Sequence, residues 1–166
     1  ALMKFRNGTH QLLIATDLAA RGLDIPELKF IIHFQLPHRN EEFIHRNGRT
    51  ARMNSDGTAY VLKWKNELLP DFIKNTEIEE LKTAPIPSPS KWVTAYISGG
   101  RKDKISKGDI AGWCCKQGNL TQNEIGMIEI KQDCAFVAID AKKATQLVQL
   151  IDNSKLKTKK VRVTLI

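Results

Sequence analysis

No apolar run in the chain approaches the ~18–20 residues that cross a bilayer, and nothing in it has the pattern of a signal peptide. Cysteine is sparse. Cys114, Cys115 and Cys134 form neither a CxxC pair nor a disulfide framework, so reduced thiols and a cytoplasmic location are expected. The GxxxxGK[ST] loop that cradles nucleotide phosphates on backbone N–H groups is absent too. So is an initiator Met: the chain opens with ALMKFRNG, inside a helical pattern, the expectation for a piece of a longer protein.

Positive charge, by contrast, is plentiful and uneven. The 166 residues carry a net +8. Residues 1–82 hold 12 Lys/Arg against 11 Asp/Glu, whereas residues 83–166 hold 14 against 7. An excess confined to one half suits a nucleic-acid-binding domain there, with a solvated basic surface as the alternative.

Hydrophobic spacing divides the chain. Residues 2–8 have the pattern of a helix end closed by Gly8, and Leu12–Thr16 that of a buried parallel strand. FIIHF (30–34) and GTAYVL (57–62) predict two more strands, Asn40–Arg52 a helix, and 65–82 one or two helices interrupted by Pro70. This alternation indicates an α/β sheet with crossover helices. TAPIPSPS (83–90), with three prolines, predicts a semi-extended linker. Beyond it the predicted order is β (93–98), α (107–117), β (125–131), β (134–139), α (141–152), β (160–165). That is the βαββαβ order of ferredoxin-like domains, the group containing the RNA recognition motif (RRM).

Two segments of the first half carry candidate chemistry. ATDLAARGLDIP (Ala15 to Pro26) puts Thr16 and Asp17 at the end of a predicted strand, where open α/β sheets hold ligands. HRNGRTAR (His45 to Arg52) repeats arginine every third residue, so Arg46, Arg49 and Arg52 could converge on one anion. Arginine suits phosphate because its planar fork donates two parallel hydrogen bonds and keeps its charge. An ordinary strand–turn–helix junction and a solvated basic helix face are the bland alternatives.

Together, with one predicted strand between them, the two segments resemble motifs V and VI of the DEAD-box RNA helicases, over essentially all of residues 1–82. The resemblance implies the C-terminal half of the second RecA-like lobe. It implies that Arg49 and Arg52 act as arginine fingers on the γ-phosphate of ATP, stabilising the charge of phosphoryl transfer. It further implies that Asp24 binds the ATP ribose, with Gly22 beside the nucleotide, and that His45 couples the lobes by contacting the DEAD motif. Thr16, Asp17, Arg21 and Gly22 would lie at the RNA backbone, Asp17 orienting its neighbours. The sequence has no DEAD segment, so ATP and Mg²⁺ would be held mainly by a lobe that is missing here, and this chain alone should be inactive.

In the second half, the loop after the first predicted strand carries Gly99 and Gly100 and then Arg101, Lys102 and Lys104. Such a loop can track a phosphate backbone. Tyr96 and Phe136 occupy two of the places where an RRM stacks bases, while Cys134 takes a third. The half resembles the RNA-binding domain of DbpA-type helicases through ISGGRKDKISKGDI, IGMIEI and KTKKVRVTLI. That resemblance implies anchoring to ribosomal RNA of the large (23S) subunit and a role in its assembly. The expected RNA contacts are Tyr96, Phe136, Arg101, Lys102, Lys104, Lys131, Lys155, Lys157, Lys159, Lys160 and Arg162.

The expectation is therefore an α/β chain: a partial RecA-like parallel sheet (1–82), a linker (83–90) and a ferredoxin-like, RRM-like domain (91–166). It would form part of an ATP-dependent RNA helicase, monomeric and without a metal site of its own. A non-catalytic RNA-binding protein and a general helicase with a non-specific RNA tether are the rival readings.

Overall fold

The computed structural model describes residues 1–17, 28–50 and 57–166. They fall into two compact units, Ala1–Leu13 with Pro87–Ile166, and Ile14–Ile86.

In the Ile14–Ile86 unit, β1 (Phe30–His33) pairs in parallel with β2 (Thr58–Val61), Phe30 opposite Thr58 and His33 opposite Val61. Between them in sequence lies α2 (Asn40–Asn47), which carries Glu41 and Glu42 in its first turn and His45 and Arg46 in its last. That charge order complements the helix dipole. Three expectations fail here. Leu12–Thr16 forms no strand, and Ile14 is 92% exposed. A buried parallel strand needs paired neighbours and covered faces, and the only ladder among the described residues of this unit is β1–β2. Residues 65–82 form no helix: Pro70 removes a backbone donor, and Ile78 and Leu81 find no face to pack on and stay exposed. The helix predicted over Asn40–Arg52 stops at Asn47, where Gly48 caps it.

The other unit holds the main core. Its four-stranded antiparallel sheet runs in the order β4 (Ile125–Ile130), β5 (Ala135–Asp140), β3 (Trp92–Ile97), β8 (Val163–Leu165). Two helices, α3 (Lys107–Lys116) and α4 (Ala144–Ile151), complete the ferredoxin-like arrangement. Strand alternation turns Ala95, Ile97, Ala135, Val137 and Ile139 inward, against Ile110, Trp113 and Cys114 of α3 and Leu147 and Ile151 of α4. Each fully buried Ile or Leu contributes about 1.5–3 kcal/mol. Helix α3 starts at a capping box: the Ser106 hydroxyl accepts the Asp109 N–H, and the Asp109 carboxylate accepts the Ser106 N–H at 2.8 Å. The last predicted strand is shorter than 160–165, because Lys155–Leu156 (β6) and Lys159–Lys160 (β7) fold first into a small hairpin.

The opposite face of this sheet is not bare. Helix α1 (Leu2–Arg6) ends in Gly8, whose φ of +80° only glycine adopts readily. The turn after it lies on the sheet: Asn7 donates to the Thr94 hydroxyl at 2.8 Å, and the Thr9 hydroxyl meets the same oxygen at 2.8 Å. Ser90 donates to the Gly8 carbonyl at 2.5 Å, and Arg6 lies 3.6 Å from Glu129.

Candidate nucleic-acid interface

The basic surface is built on three loops tied together. Gly100 makes the first tie: a Cβ there would stand 2.6 Å from backbone atoms of Lys131, Gln132 and Cys134, so only glycine lets the β3–α3 loop seat on the β4–β5 turn. Seated there, Arg101 and Lys102 donate their N–H groups to the carbonyls of Lys131 and Gln132, each at 3.0 Å. Asp103 makes the second tie, accepting from the Gly100 N–H at 3.0 Å and from Lys159 Nζ at 2.8 Å. These contacts, Lys159 first, hold its carboxyl below the usual range. Lys157 makes the third, donating to the Lys104 carbonyl at 2.6 Å and pairing with Asp109 at 2.7 Å.

These ties sort the cations that the sequence nominated. Lys102 pairs with Asp133, Lys131 with Glu129, Lys157 with Asp109, Lys159 with Asp103 and Arg162 with Asp152. Arg101, Lys104, Lys155 and Lys160 are exposed and form no ion pair among the described residues. Lys155 and Lys160 stand directly opposite each other across β6–β7, so their like charges share one face. Sequence reasoning missed the clamping carboxylates, although Asp103 and Asp109 stand among the lysines of the same loop.

Tyr96 and Phe136 are cross-strand partners, half-buried, with ring centroids 5.8 Å apart in an edge-to-face arrangement. Cys134 lies just before β5, its carbonyl accepting the Lys131 N–H at 2.8 Å.

In the other unit, the three arginines do not act alike. Arg46 grips Asp17 with two hydrogen bonds, Nε to Oδ1 at 2.5 Å and Nη2 to Oδ2 at 2.8 Å, and donates to the Gln35 carbonyl at 3.0 Å. It is therefore committed within the fold. Buried His33 lies behind it, Nε2 2.8 Å from the Asn47 side-chain oxygen Oδ1 and Nδ1 3.5 Å from Arg46. Burial, and secondarily the Arg46 charge, push the His33 imidazole below its ordinary pKa, which favours the neutral ring. Neither His33 nor the Asp17–Arg46 pair stands out in the sequence. Arg49 follows the Gly48 cap, its carbonyl accepting the Leu28 N–H at 3.0 Å. His45 and Thr16 are exposed. Arg21, Gly22, Asp24 and Arg52 lie outside the described residues. Among the described residues no group of three or more His, Cys, Asp or Glu side chains could hold a metal, so no residue here is assigned to Mg²⁺.

A four-stranded sheet backed by two helices, with basic loops braced by carboxylates, defines an RRM-like RNA-binding domain, and it accompanies an α/β unit with a parallel strand pair. Residues 94–165 match the DbpA RNA binding domain family, and residues 1–54 match the helicase conserved C-terminal domain family. The ATP-dependent RNA helicase DbpA of Escherichia coli is 31% identical across 99% of this chain and 38% of its own length. Its namesake in Bacillus subtilis is 28% identical across 96% of this chain and 40% of its own length. The DEAD-box ATP-dependent RNA helicase 9 of Oryza sativa is 54% identical, over 37% of this chain and 10% of its own length. The chain is thus similar to the C-terminal part of DEAD-box RNA helicases of the DbpA type, and spans about two fifths of the DbpA relatives it matches.

Proposed function

We propose that residues 91–166 anchor an ATP-dependent RNA helicase to structured RNA of the large ribosomal subunit, through Arg101, Lys104, Lys155 and Lys160. The observation that carries this reading is the sorting of the basic residues, in which carboxylates brace five cations while four stay open for phosphate. Residues 1–82 contribute to the second motor lobe and 83–90 link the two. In the whole protein, Arg49 and Arg52 act as arginine fingers on the γ-phosphate of ATP, whose hydrolysis drives local strand separation. The P-loop, the DEAD segment and the Mg²⁺ site belong to another lobe, so this chain by itself does not hydrolyse ATP. The protein acts as a monomer in the cytoplasm.

The test titrates the chain with a hairpin from the peptidyl-transferase region of 23S RNA and with a scrambled hairpin, at several salt concentrations. Tight, hairpin-selective binding is expected, and each Ala replacement of Arg101, Lys104, Lys155 or Lys160 lowers the salt slope by about 0.7–0.9. Ala at the paired Lys102 or Arg162 lowers it less. Equal binding of both hairpins would leave an electrostatic tether, and unchanged slopes in the four variants would reject this surface. For the motor, Arg52→Ala in the complete helicase should reduce RNA-stimulated ATP hydrolysis by orders of magnitude; near-normal turnover would remove the finger assignment.

A further inference from the structure

Thr94 and Ala138 sit side by side on the face of the sheet turned away from the core, yet both are 0% exposed. The cover is the chain's own first turn and a half. Asn7 and Thr9 share the Thr94 hydroxyl, Gly8 packs so close to Trp92 that an added Cβ would stand 3.3 Å from its ring, and Arg6 reaches Glu129 of β4. Trp92, Thr94 and Tyr96 alternate along this face of β3, with Phe136 and Ala138 beside them on β5. The segment thus lies over one end of the face that carries Trp92, Tyr96 and Phe136, which are only half-buried.

We propose that Leu2–Thr9 is a displaceable cover on this sheet, and that single-stranded RNA competes with it for the aromatic face. The cover is held by polar contacts rather than by a large apolar insertion. Each neutral hydrogen bond nets little, because it replaces one to water. Base–aromatic stacking gains more per base, so a few stacked bases compete with the cover. The same residues fall within the match to the helicase C-terminal domain, residues 1–54, so the cover comes from motor sequence and its release couples the motor to the anchor's second RNA surface. This rests on the reading of the domain as RNA-binding but not on the basic loops, which lie around the β3–α3 and β6–β7 turns.

The test uses the full chain and a short oligouridine, with the ribosomal hairpin as control. Asn7→Ala with Thr9→Ala should bind oligouridine several-fold more tightly than the wild type while leaving hairpin affinity unchanged, and adding Tyr96→Ala should remove the oligouridine gain. Independently of any variant, oligouridine added to the wild type should speed amide exchange at His10, whose N–H donates to the Lys4 carbonyl at 2.9 Å. Unchanged oligouridine affinity in the double variant together with unchanged exchange overturns the cover. An equal gain for hairpin and oligouridine, a purely electrostatic effect, overturns it as well. Failure of the basic-loop reading registers separately, as hairpin affinity insensitive to Arg101→Ala and Lys104→Ala.

Discussion

Arg46 and Asp17 face each other as fork and carboxylate, with Nε 2.5 Å from Oδ1 and Nη2 2.8 Å from Oδ2. The pair joins the two sequence motifs of the helicase-like unit, since Asp17 belongs to one and Arg46 to the other. A guanidinium so engaged is a brace.

That brace has a measurable strength. The Asp17 side chain is 44% exposed, so water screens the attraction, and a double-mutant cycle of Asp17→Asn and Arg46→Gln should give a coupling of about 1 kcal/mol in urea denaturation. Arg46→Lys should lose most of it, because an ammonium cannot match both oxygens. A coupling of zero would return Arg46 to the set of residues available to an anionic ligand.

Acid should loosen the basic loops in a defined window. Lys157, and then Ser106, bring the Asp109 carboxyl from 3.8 down to about 2. A folded-state value below the unfolded one stabilises at higher pH, so this contribution is complete above about pH 4 and fades as pH falls toward about 2. Asp103, held by Lys159, and Asp152, held chiefly by the Val163 N–H, shift in the same direction. The urea midpoint should therefore drop across that window. Asp109→Asn should flatten the drop, and an identical acid limb in the variant would disprove the attribution.

The cysteines should separate by reactivity. Cys114 is fully buried against the core, and burial pushes its thiol up to about 12, leaving almost no thiolate at neutral pH. Cys115 and Cys134 are half-exposed. Iodoacetamide on the native chain should modify those two and spare Cys114 until urea is added, as mass spectrometry of the peptides would report. Early modification of Cys114 would mean that α3 opens locally.

Gly100→Ala should unseat the β3–α3 loop. The added methyl meets backbone atoms at 2.6 Å, which cannot move aside like the tip of a side chain. Destabilisation of about 1–3 kcal/mol is expected by urea denaturation, with a loss of hairpin affinity because Arg101 loses its place. Wild-type stability would show that the turn adapts freely.

The second half was the more legible in sequence, because its evidence is local. The helix predicted at 107–117 and the strands predicted at 125–131 and 134–139 return as Lys107–Lys116, Ile125–Ile130 and Ala135–Asp140, elements that their own residues specify. The helicase-like unit was harder. Leu12–Thr16 and 65–82 have strand and helix patterns, but such patterns become structure only when a neighbour covers the apolar face, and Ile14, Ile78 and Leu81 have no such cover. Long-range polar pairing was invisible for a related reason. Asp17 and Arg46, or Asp103 and Lys159, are separated by dozens of residues, and no periodicity reports which acid meets which base.

Ala1–Leu13 and Pro87–Ile166 join into one body although the whole Ile14–Ile86 stretch intervenes. The segment on the sheet is therefore a permanently tethered competitor. Its local concentration is fixed by the length of the intervening chain, at roughly millimolar or below, and not by how much protein the cell makes. Dilution cannot strip it away. An RNA that reaches this face must beat that standing concentration, so weak, passing contacts are filtered out before any base is stacked.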